Sequence, residues 1–459
     1  MIHSQPNKFV FLLVFSFSFL TFACVSPQAN IPEEVKRSIE ERLEIGEGVG
    51  FVVGFIDPEG KREYFCYGSL RMNEEEPPDE NSVYEIGSIT KVFTCVLLAD
   101  MVLKGELALD EPAEKFLPES VKMPSREGEK ITLAHLASHQ SSLPRMPFNF
   151  RPKNPKDPYA DYTVDKMYAF LSACSLQRDI GEKYEYSNLG MGLLGHILSL
   201  KAGIAYEKLV AERICRVLGM RNTRITLTEE LKESAARGHN PAGEVPYWEI
   251  PVLAGAGALR STADDMLTFI GASMGIERTP LRRAMEMTHE PLVDAGPGMK
   301  VGLGWHILYN GKTQIVWHNG GTGGFRAFCG FIKDQKKGVI VLSNMNISAD
   351  DIGFHILDSS YPLKKIEKPV HLDPETLEKL TGKYRFENDH VTVSIKREGR
   401  LLVARIPGLA SSVFFPVSET EFVMKDEPIR MSFRLDDSAD VTALVVNQAG
   451  IESIAEKIE

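Results

Sequence analysis

The chain has 459 residues, of which 43% are apolar and 25% charged. That composition is globular, with enough apolar mass for a large core and a deep cleft, and the length favours two or three domains over one. The formal charge is 52 − 63 = −11 with no basic block, which argues against nucleic-acid binding and mainly serves solubility.

The first element is an apolar run from Phe9 to Ala23 that follows Lys8. Its length suits a secretory signal better than a spanning helix. It ends Leu20-Thr21-Phe22-Ala23-Cys24. A small residue before a cysteine resembles a bacterial lipoprotein cleavage site, with Cys24 as the lipidated first residue. Ordinary cleavage nearby and a retained membrane anchor are the alternatives. On the first reading residues 1–24 are a signal peptide with a lipobox. The protein is then exported to the periplasm or cell envelope and held on a membrane through Cys24. Five further cysteines, Cys66, Cys95, Cys174, Cys215 and Cys329, are scattered through mostly apolar settings. An odd, scattered set is no disulfide framework, so these read as buried free thiols, and no pair has metal-ligand spacing.

Residues 31–45 read as a polar helix. "GVGFVVGFIDPEG" and "KREYFCYGSL" read as two strands joined at Pro58-Glu59-Gly60. A buried helix follows Ser88, and from Leu107 to about Ile270 the chain reads as mainly helical and loop-like. It includes a proline-rich surface stretch, "LPRMPFNFRPKNPKDPYADY". Strands return at "VGLGWHILYN", "TQIVWHNGG", "GFRAFCGFIKD" and "GVIVLSN", with turns at Asn310-Gly311 and Lys336-Lys337-Gly338. A helix is expected near 349–358. One antiparallel sheet is therefore expected from both ends of a domain spanning 25–365, flanked by helices, with a mainly helical region inserted. Residues 366–459 read as a linker and a small all-β domain.

Three stretches carry candidate chemistry. In "EIGSITKVFTCVLLADMV" Lys91 is the only charge between Ile86 and Ala99. It stands three residues after Ser88, on the same helical face. A desolvated lysine loses basicity and can activate a serine nucleophile, whereas an isolated Ser-x-x-Lys is more often accidental. In "GEKYEYSNLGMGLLGHIL" Tyr186 can take the serine proton, its phenol made more acidic by a neighbouring ammonium, and Asn188 can bond a substrate amide. The plain alternative is helix capping. In "VWHNGGTGGFRAF" glycines permit close backbone approach, and the N–H groups of Gly321 and Ser88 can form an oxyanion hole. A glycine-rich hairpin is the alternative there.

Together, in this order, these stretches resemble the serine β-lactamase-related hydrolases: class C β-lactamases, their D-Ala-D-Ala carboxypeptidase relatives and related esterases. "LALDEPAEKFLP", "ITLAHLASHQSSLP", "LGMRNT" and "GALRSTADDMLTFI" add to the likeness, which covers about Ile31 to Asn346. The tail from Leu372 resembles the small β domain of some relatives. The resemblance implies an α/β, β-lactamase/transpeptidase-like fold with a small C-terminal β domain. It implies an acyl-enzyme on Ser88, proton transfer shared by Lys91 and Tyr186, and a substrate amide positioned by Asn188. His318 and Gly320 would line the strand edge, and Ser88, Tyr186 and Asn188 would hold Lys91. No cofactor is implied.

His318-Asn319-Gly320 stands where class C β-lactamases usually have Lys-Thr-Gly. A neutral histidine attracts a carboxylate less than lysine does, and Asn319 replaces a hydroxyl. The expected substrate is therefore a peptide, amide or ester, such as a peptidoglycan stem peptide, ahead of efficient β-lactam turnover. The alternative is a catalytically weak penicillin-recognising or peptidoglycan-binding lipoprotein using the same pocket. His135 and His139 lie four apart but lack a zinc motif, His196 reads as core, and no Gly-x-Ser-x-Gly elbow occurs.

Overall fold

The computed structural model describes residue 1 and residues 31–458, apart from 387–390, 407–410, 425–428 and 449–450. The apolar run 9–23 and Cys24 lie outside the described residues.

Helix α1 (Glu33–Glu44) precedes the hairpin β1 (Gly50–Ile56) and β2 (Arg62–Gly68). At its turn, Asp57 accepts bonds from the Glu59 and Lys61 amides at 3.0 and 2.8 Å. Helix α2 (Thr90–Leu103) comes next. The helices of the inserted region that bear on the site are α3 (Asn188–Ala202), α4 (Ala254–Gly257), α5 (Ala263–Ser273) and α6 (Arg282–Thr288). The chain then re-enters the sheet as β3 (Val293–Gly296), β4 (Met299–Val301), β5 (His306–Asn310), β6 (Thr313–Gly321), β7 (Arg326–Ile332) and β8 (Lys337–Ser343), and closes on α7 (Asp350–Leu357).

The eight strands form one antiparallel sheet in the order β2-β1-β8-β7-β6-β5-β4-β3. The pairing of β1 with β8, Phe51 opposite Ser343 and Ile56 opposite Gly338, joins the two ends of the domain. Helices cover both faces of this central pair. Val52 and Ile56 face the core built with α2 and α5, while Phe51, Val53 and Phe55 face α1 and α7. Strand side chains alternate between faces, so a strand buried on both sides needs the unbroken apolar run seen in "GFVVGFI". Helix α2 is buried from Thr90 through Met101, as its all-round apolar sequence requires.

Two details differ from the sequence reading. "VGLGWHILYN" is not one strand: Val301 ends β4, and β5 starts only at His306. The hairpin β3–β4 was missed because "VDAGPGMKV" carries turn residues and little alternation. The expected linker holds a short helix, Pro374–Lys379, whose first turn is capped by Asp373 accepting the Thr376 amide at 2.8 Å. Beyond it β9 (Gly382–Phe386), β10 (Thr392–Glu398), β11 (Leu401–Arg405), β12 (Ser412–Pro416), β13 (Glu421–Val423), β14 (Ile429–Leu435), β15 (Val441–Gln448) and β16 (Ile451–Lys457) close into an antiparallel barrel. Tyr384, Leu402, Phe414, Phe422, Phe433 and Leu444 fill it.

Asn344 stitches together the adjacent strands contributed by the two ends of the domain. Its fully buried amide accepts the Gly50 N–H at 2.7 Å and donates to the Leu70 and Ser69 carbonyls at 2.9 and 3.2 Å. Asn344→Ala removes the side-chain partner of the Gly50 N–H and the Ser69 carbonyl in the interior, while the Leu70 carbonyl keeps the Arg237 amide at 2.8 Å. It is expected to destabilise the protein by about 2–4 kcal/mol, read as a lower midpoint in urea melts. An unchanged midpoint would show that the stitch is redundant.

Candidate active site

Ser88 sits in a tight 3₁₀ turn, Gly87–Ile89, that leads directly into α2. The end of β6 presses against this turn. A Cβ on Gly320 would lie 1.9 Å from the Ile86 carbonyl oxygen, and one on Gly87, at φ +49°, would lie 2.6 Å from the Gly321 amide nitrogen. Only glycine fits at either position. The Ser88 and Gly321 amides are thereby brought to one junction.

Lys91 follows one turn along α2 and is 0% exposed. Its Nζ donates to Ser88 Oγ at 2.9 Å and to the Ala256 carbonyl at 2.6 Å. That carbonyl is held in place by threonines on α2. Thr90 Oγ1 accepts the Leu259 amide at 3.1 Å, and Thr94 Oγ1 donates to the Gly255 carbonyl at 2.8 Å. Burial, reinforced by repulsion from Arg145, pushes the Lys91 pKa well below the lysine range. The amine is therefore readily held neutral.

Tyr186 stands just before α3, with Lys91 Nζ 4.8 Å from its ring centroid, and it borders the same cavity as Ser88. Its pKa is raised, chiefly by burial. This corrects the expectation of an acidified phenol: the same burial that desolvates Tyr186 also disfavours the charged form of Lys91. Asn188 is also placed differently from the expectation. It does not hold Lys91, because its amide donates to the Tyr159 hydroxyl at 3.4 Å and its Oδ1 is buried without a partner. The Ala256 carbonyl takes the expected place of Asn188. No side-chain pattern marks a backbone oxygen, so the sequence carried no signal for it.

Two adjoining cavities open at Ser88. The larger, about 640 Å³, is bounded by Tyr186, Asn319, Gly320, Gly321 and Arg326. The smaller, about 120 Å³, is bounded by Asn188, Ile250, Ala256 and Gly257. Arg145 and Trp248 border both. Asn319 faces the cleft, but its amide donates to Asp350 Oδ2 at 2.6 Å. His318, expected along the strand edge, is only 1% exposed and lies beneath the cleft, 6.2 Å from Tyr186 and 4.9 Å from His306 between ring centroids. The alternation of β6 turns it inward. Burial pushes His318 and His139 well below the usual imidazole range and His306 down to about 4, so all three are neutral at pH 7. His139 accepts the Ser187 amide at 3.1 Å and stacks on Tyr186, and His135 accepts the Thr132 amide at 3.2 Å, so each serves as a structural acceptor. His196 hydrogen-bonds the Tyr168 hydroxyl at 2.7 Å on α3. Arg145, Trp248 and His306 were not singled out in the sequence, because each lies outside the three motif stretches.

The family model described as Beta-lactamase matches residues 35–354. A β-lactamase of Pseudomonas fluorescens is 26% identical over 360 residues, covering 69% of this chain and 94% of that protein. The D-alanyl-D-alanine-carboxypeptidase/endopeptidase AmpH of Escherichia coli K12 is 27% identical over 299 residues, covering 61% of this chain and 76% of AmpH. Among solved structures, a class C β-lactamase superposes with a TM-score of 0.64 at 23% identity, over 74% of this chain and 98% of that one. The octameric penicillin-binding protein homologue from Pyrococcus abyssi superposes with a TM-score of 0.66 at 21% identity, over 92% of this chain and 98% of that one. With a family match running from α1 to α7 around the paired Ser88 and Lys91, the chain belongs to the Beta-lactamase family, whose members are serine hydrolases.

Proposed function

We propose that the protein hydrolyses a peptide, amide or ester through an acyl-enzyme on Ser88. The observation that carries this reading is the fully buried Lys91 amine, 2.9 Å from Ser88 Oγ. Neutral Lys91 takes the Ser88 proton as Oγ bonds to the substrate carbonyl carbon. The oxyanion settles between the Ser88 and Gly321 N–H groups. The Tyr186 phenol gives its proton to the leaving atom and recovers one from the Lys91 ammonium. Water then attacks the acyl-enzyme by the reverse proton path, releasing the acid and restoring Ser88.

D-Ala-D-Ala carboxypeptidase or esterase chemistry fits this cleft better than efficient β-lactam hydrolysis. His318 is neutral and inward, and the Asn319 amide already serves Asp350, so the end of β6 offers a substrate carboxylate little, which favours an ester; the carboxypeptidase reading, whose leaving D-alanine carries a carboxylate, rests on the likeness to AmpH. A peptidoglycan stem peptide is the natural substrate class on this reading. Export and anchoring through Cys24 belong to the same proposal and rest on the sequence of residues 9–24.

Ser88→Ala and Lys91→Ala are each expected to lower kcat/KM by about 10³-fold or more across a short 4-nitrophenyl ester, nitrocefin and a D-Ala-D-Ala peptide. Full turnover in either variant would sink the mechanism. Absence of turnover in the wild type, despite a stable penicillin adduct, would favour the binding-lipoprotein reading.

The pH profile tests Lys91 separately. Activity needs the neutral amine, so it is present above the folded pKa of Lys91 and lost as pH falls through it. Because that pKa is lowered, the acid limb of kcat/KM is expected well below the ordinary lysine value of about 10.4. A limb near pH 10 would mean that Lys91 is not the base. Cys24→Ala is expected to move the protein from the membrane fraction to the soluble fraction of producing cells. Unchanged fractionation would exclude the lipid anchor.

A further inference from the structure

We propose that Arg145 is an anion-recognition residue and that the acyl part of the substrate carries a carboxylate. This rests on the acyl-enzyme reading of Ser88.

Arg145 is held in place by its backbone. The Asn188 and Leu189 amides donate to its carbonyl at 3.0 and 3.2 Å, and Ser187 Oγ donates to the preceding Pro144 carbonyl at 2.7 Å. The side chain is then laid over Tyr186, its guanidinium carbon 5.0 Å from the ring centroid. That places a permanent cation at the mouth of both cavities that open at Ser88.

This cation lacks an internal counter-charge. Among the described residues no carboxylate forms an ion pair with Arg145, and neither cavity is bordered by Asp or Glu. Arg326, the other guanidinium at the cleft, differs. Its guanidinium donates to the Thr322 and Phe325 carbonyls at 3.3 and 3.2 Å and is stabilised electrostatically by Asp350 without an ion pair to it. Arg145 therefore keeps its planar fork of donors available, and that fork matches a carboxylate.

The side of the substrate follows from the proton path. The leaving group departs where Tyr186 protonates it, in the larger cavity. The acyl group stays on Ser88 and turns toward the smaller cavity, which Tyr186 does not border. Among the described residues, Arg145 is the one charged side chain that borders that smaller space. Its volume of about 120 Å³ equals roughly four liquid-water volumes, room for a short chain ending in a carboxylate. The class of substrate is a half-ester or half-amide of a short dicarboxylic acid, within the peptides, amides and esters proposed above but in place of a D-Ala-D-Ala stem peptide, whose acyl D-alanine bears only a methyl group.

A purely electrostatic role for Arg145, repelling a proton from Lys91, is the competing explanation, and it predicts equal effects on charged and neutral substrates. The experiment compares mono-4-nitrophenyl glutarate with 4-nitrophenyl butyrate, which share a leaving group, in wild type, Arg145→Gln and Arg145→Lys. Rates are taken on the plateau of each pH profile. The glutarate-to-butyrate ratio of kcat/KM is expected to exceed one in wild type. It should fall about tenfold or more in Arg145→Gln, recover in part in Arg145→Lys, and decline with added salt. A ratio unchanged in Arg145→Gln overturns the proposal.

A second arm does not depend on turnover. Glutaric acid monoamide is titrated calorimetrically into Ser88→Ala and into Ser88→Ala with Arg145→Gln. Binding that disappears with Arg145 supports anion recognition even if neither ester is hydrolysed, a result that would by itself defeat only the acyl-enzyme reading. Equal binding by both variants, or binding by neither, overturns the proposal.

Discussion

The rest of the site depends on one buried amine. Lys91 lies inside a helix that is apolar on every side, where a charged ammonium would be strongly disfavoured. The structure accommodates it by keeping it neutral and giving it two polar contacts, the Ser88 hydroxyl and the Ala256 carbonyl. Such an amine is both tolerable in the core and basic enough to matter to a hydroxyl at hydrogen-bond distance. The feature that makes Lys91 unfavourable for folding is the one that suits it to proton transfer.

Holding that arrangement requires parts far apart in the chain. The serine comes from the turn into α2, the lysine from the start of α2, the carbonyl from α4, the phenol from the turn into α3 and the facing amide from the end of β6. The sheet makes these meet, because β1 from one end of the domain pairs directly with β8 from the other. Asn344 bonds backbone groups at residues 50, 69 and 70 across that seam. The glycines at 87 and 320 let two backbones approach more closely than any side chain would allow.

Burial also sets the electrical character of the cleft. Three imidazoles packed near Lys91 and Tyr186 are neutral, and burial disfavours the charged forms of Lys91 and Tyr186 as well. The fixed positive charge lies instead at the rim, on Arg145 and on Arg326, whose guanidinium bonds the Thr322 and Phe325 carbonyls. The cleft thus has a neutral floor and, at its mouth, a cation with no ion-paired carboxylate among the described residues.

Much of this was legible in the sequence, for local reasons. The spacing of Ser88 and Lys91 determined that they share a helical face, and the apolar run after them determined that the face is interior. The alternating and continuous apolar runs marked β1, β2 and β5 through β8, and the order strands, helices, strands implied a sheet closed from both ends. What the sequence could not decide were the partners of those residues. Tyr186 was expected to be acidified and Asn188 to hold Lys91; the fold desolvated the first and turned the second toward Tyr159. His318 was expected at the cleft and lies beneath it, and Ala256 contributes an oxygen that no side chain advertises. Periodicity and composition act over a few residues and are written in the chain, whereas desolvation and backbone contacts arise only when distant segments close on one another.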